Sequence, residues 1–582
     1  MSAEPAKLSS DDHRLTRLLE FGGTRFGGLS SASLIIVLLI VAALVFRFQL
    51  ATIYEVNWDE FLHLAKVYLH AGGDLSAPLQ SIYVHAFGWV TLVDGTEVDQ
   101  VVAARLAVFA LSLGTALFLF LIARRLLPME AALLSTLGYL AFSFTLFHGN
   151  SFRTDPLATL MLMAALWLIV YWPKRLRAAI AAGTLIGLSG MVTIKSVLYV
   201  PTIALVLLIT LWRNGDHRRR LLCGAMTGAT AALSFMTFYL LHRLALTESA
   251  SAVARVEGAA TKTLVERDFF NAIAFFRLAL QQNPAFWALT AAGMFTCLVG
   301  LARSRGPERE RWAMLMACGM MLGTLLVYTN SFPYYYPFML APAALLCGAA
   351  MLVVPERVRP LVTVFAGLAL AVSMTANFVR AQAKDMSAQR EFLEAVHSIF
   401  PEPVPYIDRA SMVAAYPKTG LFMSVWGMTN YYRLGTPIFR EVLERDQPVF
   451  LVANRRMLEL DDLGPDEYGP AHFGLFAEDV AVLRNNFVRH WGPLYVAGKR
   501  LTVPRGGVQT FKILIAGTYT IESEMDVTVN GERRAPGETV TLAQGRHQIG
   551  AVNEGGNVIL RWGDSLDRPS EPPPDRPLFT GF

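Results

Sequence analysis

Cysteine is scarce, with four in 582 residues. Cys223, Cys297, Cys318 and Cys347 all lie inside apolar runs, and none follows Cys347. No disulfide framework therefore supports the polar C-terminal part. Charge is scarce as well. Only 17% of residues are charged, against about 25% in an average soluble domain, and the deficit is concentrated between residues 30 and 380. The formal net charge is +5, and the basic residues form short clusters between apolar runs. That distribution argues against nucleic acid as a partner. Neither a P-loop nor a dinucleotide fingerprint occurs, so no nucleotide site is implied. Solenoid-type repeats are absent. A cleavable signal peptide is not expected: residues 1–29 are largely polar, no small-residue cleavage site follows the first apolar run, and that run reads as a retained anchor.

What is abundant is apolar sequence, 54% of the chain. A spanning helix needs roughly 20 apolar residues. Eleven runs qualify as candidates: about 30–48, 103–126, 130–147, 156–172, 178–195, 197–212, 221–245, 285–302, 312–330, 335–354 and 361–379. The fifth and sixth form one long stretch, broken near Lys195 and Pro201. Basic residues set the orientation. With a cytoplasmic N-terminus, the inner loops include "ARRLLPME", "PKRLRAA", "WRNGDHRRR" and "ARSRGPERER", all Arg-rich. The outward loop 49–102 holds only Lys66. The asymmetry requires an odd number of spans and so two helices over 178–212. It places Asp59, Glu60, Arg153, Asp155, Lys195, Tyr334–Tyr336 and everything after residue 380 on the outer side.

The expected fold is an α-helical polytopic membrane protein with a soluble C-terminal region. Its organisation reads as a cytoplasmic segment (1–29), a transmembrane domain (30–380), an α/β domain (381–502), a small β-sandwich (503–565) and a Pro-rich disordered tail (566–582). The β-sandwich rests on the alternating pattern after residue 503 and on the Asn530-Gly531 hairpin signal. "TKTLVERDFFNAIAFFRLALQQNP", residues 261–284, reads as an amphipathic lid.

Several residues in the outer half have chemistry to offer. Asp59 and Glu60 follow Asn57, a natural cap, and acidic residues favour a first helical turn; they are also two carboxylates at the membrane face. Asp155, next to Pro156, fits a helix start and equally a second carboxylate in an outer cavity. Lys195 lies in an apolar stretch where a charge costs about 3 kcal/mol at the bilayer centre. It reads as a snorkelling end residue or, with Arg153, as a cation for an anionic head group. "SFPYYYPF" suits an aromatic belt. Tyr334 and Tyr335 are candidate substrate contacts, as is His63. The spacing of His63, His70 and His85 matches no metal pattern. Two or three carboxylates can hold a hard divalent ion such as Mg or Mn, although adjacent Asp59 and Glu60 point different ways on an ideal helix.

The order of these features resembles the GT-C membrane glycosyltransferases, in particular bacterial relatives of protein O-mannosyltransferases and lipid A aminoarabinose transferases. The features are an Asp-Glu pair opening the first outer loop, "RTDPL" starting the fourth span, and a lysine after "GLSGMVT". A C-terminal outer domain completes the pattern. The likeness covers roughly residues 30–380. It implies an inverting glycosyltransferase that moves a sugar from a polyprenyl-phosphate donor to a glycan, lipid or protein acceptor. The reaction would run at the outer face of a bacterial inner membrane, with the C-terminal region periplasmic. By the resemblance, Asp59 is the catalytic carboxylate and Glu60 supports it. Asp155 holds acceptor or metal, and Lys195 with Arg153 binds the donor phosphate. The chain departs from the pattern at "TIKSV", where relatives often carry Thr-Lys-Gly-Pro. An oligosaccharide transferase or ligase of similar build, and a membrane transporter, are the alternatives. A transporter is disfavoured because the polar residues gather on one side of the membrane instead of at its midplane.

Overall fold

The computed structural model describes residues 25–26, 29–211, 217–246 and 273–581. Most of the expected cytoplasmic segment, and the first half of the expected lid (261–272), lie outside the described residues. The helices that matter here are α1 (Ser31–Ile53), α2 (Trp58–Ala71), α3 (Glu97–Leu126), α4 (Thr154–Tyr171), α5 (Leu176–Val192), α6 (His217–Leu244), α7 (Pro284–Arg303), α8 (Arg359–Ala381) and α9 (Ser387–Ile399). The chain folds into two units. The first holds the chain up to Tyr54, Leu69–Val90 and Val102–Asp385; the second holds Glu55–Tyr68, Thr91–Val101 and the chain from Met386 onward.

In the first unit, each of the eleven apolar runs carries helix. Six single helices among the described residues (α1, α3, α4, α6, α7 and α8) are long and apolar enough to cross a membrane. A seventh span results if the pair Pro333–Ala343 and Leu345–Val353, bent by 43°, counts as one; Pro342 lies at the bend. Met129–Ala141, α5 and Ile194–Thr210 are shorter apolar helices. The long stretch over 178–212 is interrupted where Lys195 stands: a 3-10 turn, Ile194–Tyr199, separates α5 from Val200–Leu211.

Within hydrocarbon, helices associate by close packing of small residues, because lipid tails are as apolar as leucine. α5 and α6 show this. Gly183 and Gly187 lie one turn apart on α5, and a Cβ on Gly187 would come within 2.3 Å of the Ala231 carbonyl oxygen. Hydroxyls of α6 use the closeness: Thr227 donates to the Ala179 carbonyl at 3.3 Å and Ser234 to that of Thr184 at 3.1 Å. Gly187→Val should overpack this seam and cost about 1–3 kcal/mol. The check is a lowered thermal midpoint in detergent against wild type; an unchanged midpoint would contradict the close packing.

Among the described residues the second unit carries eleven strands. In chain order these are β1 (Tyr406–Ile407), β2 (Phe450–Val452), β3 (Phe487–Trp491), β4 (Leu494–Val503), β5 (Val508–Ile513), β6 (Gly517–Ser523), β7 (Val527–Val529), β8 (Glu532–Arg534), β9 (Thr539–Leu542), β10 (Gly545–Ala551) and β11 (Gly556–Trp562). One sheet runs β9-β6-β11-β4-β2-β1, with β3 also paired to β4; a second runs β8-β7-β10-β5. Among the described strands of this unit, β1 and β2 alone are parallel neighbours. β4 is long enough to serve two regions. Its first half pairs with β2 and its second half with β11, so one sheet continues across position 502. Asn530 and Gly531, both at positive φ (53° and 88°), turn β7 into β8, as a two-residue hairpin requires.

The Pro-rich tail is not the free segment that its composition suggests. Trp491 donates its indole N–H to the Glu571 carbonyl at 3.0 Å, and Gln389 donates to the Leu578 carbonyl at 2.8 Å. Phe579 sets its ring edge-on to Trp58 and Phe61, and Glu55 accepts from the Thr580 N–H at 2.8 Å. Proline narrows the unfolded ensemble, so ordering this tail costs little chain entropy, and its apolar end finds sockets.

α9 is fastened to the Thr91–Val101 segment by ion pairs, Arg390 with Asp99 and His397 with Glu97, the latter at 2.8 Å. Burial alone would push the His397 imidazole down, but its hydrogen bond and charge contact with Glu97 outweigh burial, and its pKa is raised. A raised folded-state pKa gives stability that is fully present below the unfolded value, about 6.5, and is lost as pH rises through the folded value. The thermal midpoint of wild type should therefore fall relative to His397→Gln between about pH 6 and 8. Parallel curves would contradict the ion pair.

Candidate functional site

The first unit gathers charge at the N-terminus of α4. Asp155 stands in its first turn, beside Pro156. Lys195 donates to the Asp155 carboxylate at 2.7 Å and Arg153 at 3.4 Å, with all three side chains at most 11% exposed. Tyr334 covers both cations: the Arg153 guanidinium lies 3.6 Å from its ring centroid and the Lys195 ammonium 4.9 Å. Lys195 reaches this point because the 3-10 turn after α5 places it one helix away from Asp155, 40 residues earlier. A cleft beside the cluster is lined by Thr115, Tyr139, His148, Gly149 and Phe338, and encloses about 10 Å³, the space of one water.

Behind this cleft lies a residue that the hydropathy reading passes over. Arg47, at the end of the first apolar run and inside α1, is fully buried. It donates to the Asn150 side-chain oxygen at 2.5 Å, and Asn150 donates back to the Arg47 carbonyl at 2.9 Å. Gly149 makes room for it, since a Cβ there would sit 2.6 Å from the Arg47 guanidinium. The signal in the sequence was an arginine inside a span, which is rare enough to mark function or pairing.

Asp59, Glu60 and His63 belong to the second unit, on α2. Asn57 caps that helix: its side-chain oxygen accepts the Asp59 N–H, and the Glu60 carboxylate accepts the Asn57 N–H, both at 3.0 Å. The return bond from Glu60 is the one a capping box makes, and it gives the fully buried Glu60 a structural task. Asp59 is half-buried, and cations surround it. Its charge opposes burial in setting Lys66, whose pKa is lowered. It also acts on Arg409, which burial and the neighbouring Arg455 push down to about 10 against the pull of Asp59 and Asp408. Trp58, one residue earlier, stacks under the Arg409 guanidinium at 4.0 Å.

The structure thus brings Arg153, Asp155, Lys195 and Tyr334 together. Tyr335 is fully buried and donates its hydroxyl to Thr324 at 2.6 Å, which ties it to packing. His70 and His85 meet a third histidine that the loop reading did not include: His85 and His242 approach to 2.9 Å, and the His70 and His85 rings stand edge to face. Among the described residues no group of three or more His, Cys, Asp or Glu is placed to hold a metal ion. The donor chemistry agrees, for Asp155 meets two cations and Glu60 is committed to the α2 cap. Asp155 and Glu60 are thus each engaged within the protein.

Asp155 and Lys195 should behave as one unit. A double-mutant cycle of Asp155→Ala and Lys195→Ala, read by thermal unfolding in detergent, should show a coupling of about 0.5–3 kcal/mol. Additive losses would contradict the pairing.

No protein-family model matches the chain, and no curated protein matches it by sequence. Solved structures do match by fold. ArnT from Cupriavidus metallidurans bound to undecaprenyl phosphate superposes with a TM-score of 0.50 at 13% identity, over 72% of this chain and 92% of that one. The Archaeoglobus fulgidus oligosaccharyltransferase in the apo form gives 0.52 at 12% identity, over 87% of this chain and 76% of that one. At such identities the likeness is one of fold, and the chain is a multi-pass membrane protein with the GT-C fold.

Proposed function

We propose that the protein is an inverting glycosyltransferase that takes its sugar from a polyprenyl-phosphate donor. The observation that carries this reading is the cluster of Lys195 and Arg153 on Asp155 under the Tyr334 ring. Two cations held on a span's first turn suit a lipid whose phosphate lies at the membrane face and whose tail lies in the bilayer. The fold relative ArnT was solved with undecaprenyl phosphate, which supports a donor of that kind. The cleft is too small for a phosphate as it stands, so the reading requires Tyr334 to swing off the cations as the donor arrives.

In the proposed reaction the acceptor oxygen or nitrogen attacks the anomeric carbon and the bond from that carbon to the phosphate oxygen breaks. The bonding electrons leave with the phosphate, and the acceptor proton passes to a carboxylate. Charge grows on the leaving phosphate, where fixed cations stabilise the transition state most. Lys195 and Arg153 take that role. The base must be a carboxylate within hydrogen-bond reach of the acceptor, and Asp59 is the choice, with Glu60 holding α2 in shape. One displacement inverts the anomeric centre. The site would lie on the periplasmic side of a bacterial inner membrane, by the distribution of arginines between loops. Transfer of a preassembled oligosaccharide is the second reading, favoured by the likeness to the archaeal oligosaccharyltransferase.

The test is release of radiolabelled sugar from a panel of polyprenyl-phosphate monosaccharides by the purified protein in lipid, with a native acceptor extract. Release by wild type should fall about 10²–10⁴-fold in Asp59→Asn and about 10²–10³-fold in Lys195→Ala. Equal release by Asp59→Asn would remove Asp59 from the chemistry. No release from any monosaccharide donor, with release from a lipid-linked oligosaccharide, would favour the second reading.

A further inference from the structure

The second unit contains a cavity of about 520 Å³, within the size range of small-molecule sites. Five arginines line it, and they are not equivalent. Arg456 is held by Glu467 at 2.7 Å and Glu459 at 2.6 Å, and Arg489 by Asp462 at 2.7 Å and Asp461 at 3.1 Å. These two are wall residues, their charge already matched. Arg409 and Arg455 differ: among the described residues no carboxylate forms an ion pair with either.

Arg409 is the unusual member. Its side chain faces the cavity, yet the residue is only 7% exposed. Its Nε is buried with no hydrogen-bond partner. A buried guanidinium N–H without an acceptor is expensive, and on a side chain that lines a cavity a ligand there can supply one. The group is also held in advance of any ligand. The Asp408 carboxylate accepts the N–H groups of Ser411 and Met412 at 2.8 and 2.7 Å, and Asn454 accepts the Arg409 N–H at 3.0 Å while donating to Asp408 at 3.1 Å. Trp58 supports the guanidinium plane from below. The remaining wall supplies rings, Trp58, Tyr495 and Phe579, of the kind on which the apolar faces of a sugar pack.

We infer that this cavity binds an acidic saccharide, a sugar bearing a phosphate or a carboxylate, with the anion on Arg409 and Arg455 and the sugar ring against Trp58 and Phe579. The fork of N–H donors on arginine matches either oxyanion. Trp58 immediately precedes Asp59, and the Asp59 charge is felt at Arg409. The ligand would accordingly be the acceptor, an assignment that rests on the glycosyl transfer proposed above, whereas the binding itself does not.

The experiment is saturation-transfer NMR on the full chain in nanodiscs, titrated with glucose 6-phosphate, glucuronate, glucose and inorganic phosphate. The expected result is binding of glucose 6-phosphate, glucuronate or both, at least tenfold tighter than glucose or inorganic phosphate. Arg409→Gln and Arg455→Gln should each weaken it at least tenfold, with Arg409→Lys intermediate. Which acid binds tells a phosphorylated sugar from a uronic acid. Binding unaffected by both glutamine variants, or glucose or inorganic phosphate binding as tightly as the acids, would overturn the inference, as would no binding by any probe. Label release by wild type in that last case would leave the proposed transfer standing and sink only the acidic acceptor.

Discussion

A charge inside an apolar layer needs a partner, and that need shapes the first unit. Lys195 interrupts a long apolar stretch, and a lysine at the bilayer centre costs about 3 kcal/mol. The chain meets this cost by breaking helix at Lys195 and laying the side chain on Asp155. Asp155 in turn starts α4 and draws in Arg153, and the Tyr334 ring closes over both cations. The same economy recurs at Arg47, which binds Asn150 and needs a glycine at 149. Removing one partner of a buried pair commonly costs about 3–5 kcal/mol, so the cluster also fixes where α4 and the turn after α5 can lie.

In the second unit the same currency of charge is arranged differently. Glu60 closes the cap of α2, and that cap leaves Trp58 and Asp59 displayed on the first turn. Asp408 and Asn454 then fix the backbone that carries Arg409 over Trp58. Asp155 meets two cations and Glu60 closes the α2 cap, while the Asp59 charge acts on Lys66 and Arg409.

Much of this was legible in the sequence because membrane insertion leaves strong marks. Apolar runs give the helices, and "RTDPL" and an intramembrane lysine mark Asp155 and Lys195 as candidates, but their pairing is not legible there, because it depends on where the 3-10 turn after α5 places Lys195. The hairpin at Asn530-Gly531 was equally readable, since two consecutive residues at positive φ admit few alternatives. Other features were not readable from local pattern. The part of Glu60 in the α2 cap is one of these, because it shows only when the Asn57 cap is followed three residues further. The tail after residue 566 looked disordered because composition reports chain stiffness and polarity, and says nothing of sockets supplied by Trp58, Phe61 and Gln389. Arg409 carries no local signal at all. Its burial arises from residues far apart in sequence, Trp58, Asn454 and the tail, meeting around it.

The central claim is that the cations at the start of α4 receive a lipid-linked phosphate. The most direct measurement is a cryo-EM structure of the protein in nanodiscs with undecaprenyl phosphate added. The account predicts phosphate density within hydrogen-bond distance of the Lys195 ammonium and the Arg153 guanidinium, with the Tyr334 ring displaced from its place over them. Phosphate bound elsewhere, with the Lys195–Asp155–Tyr334 arrangement unchanged, would contradict it.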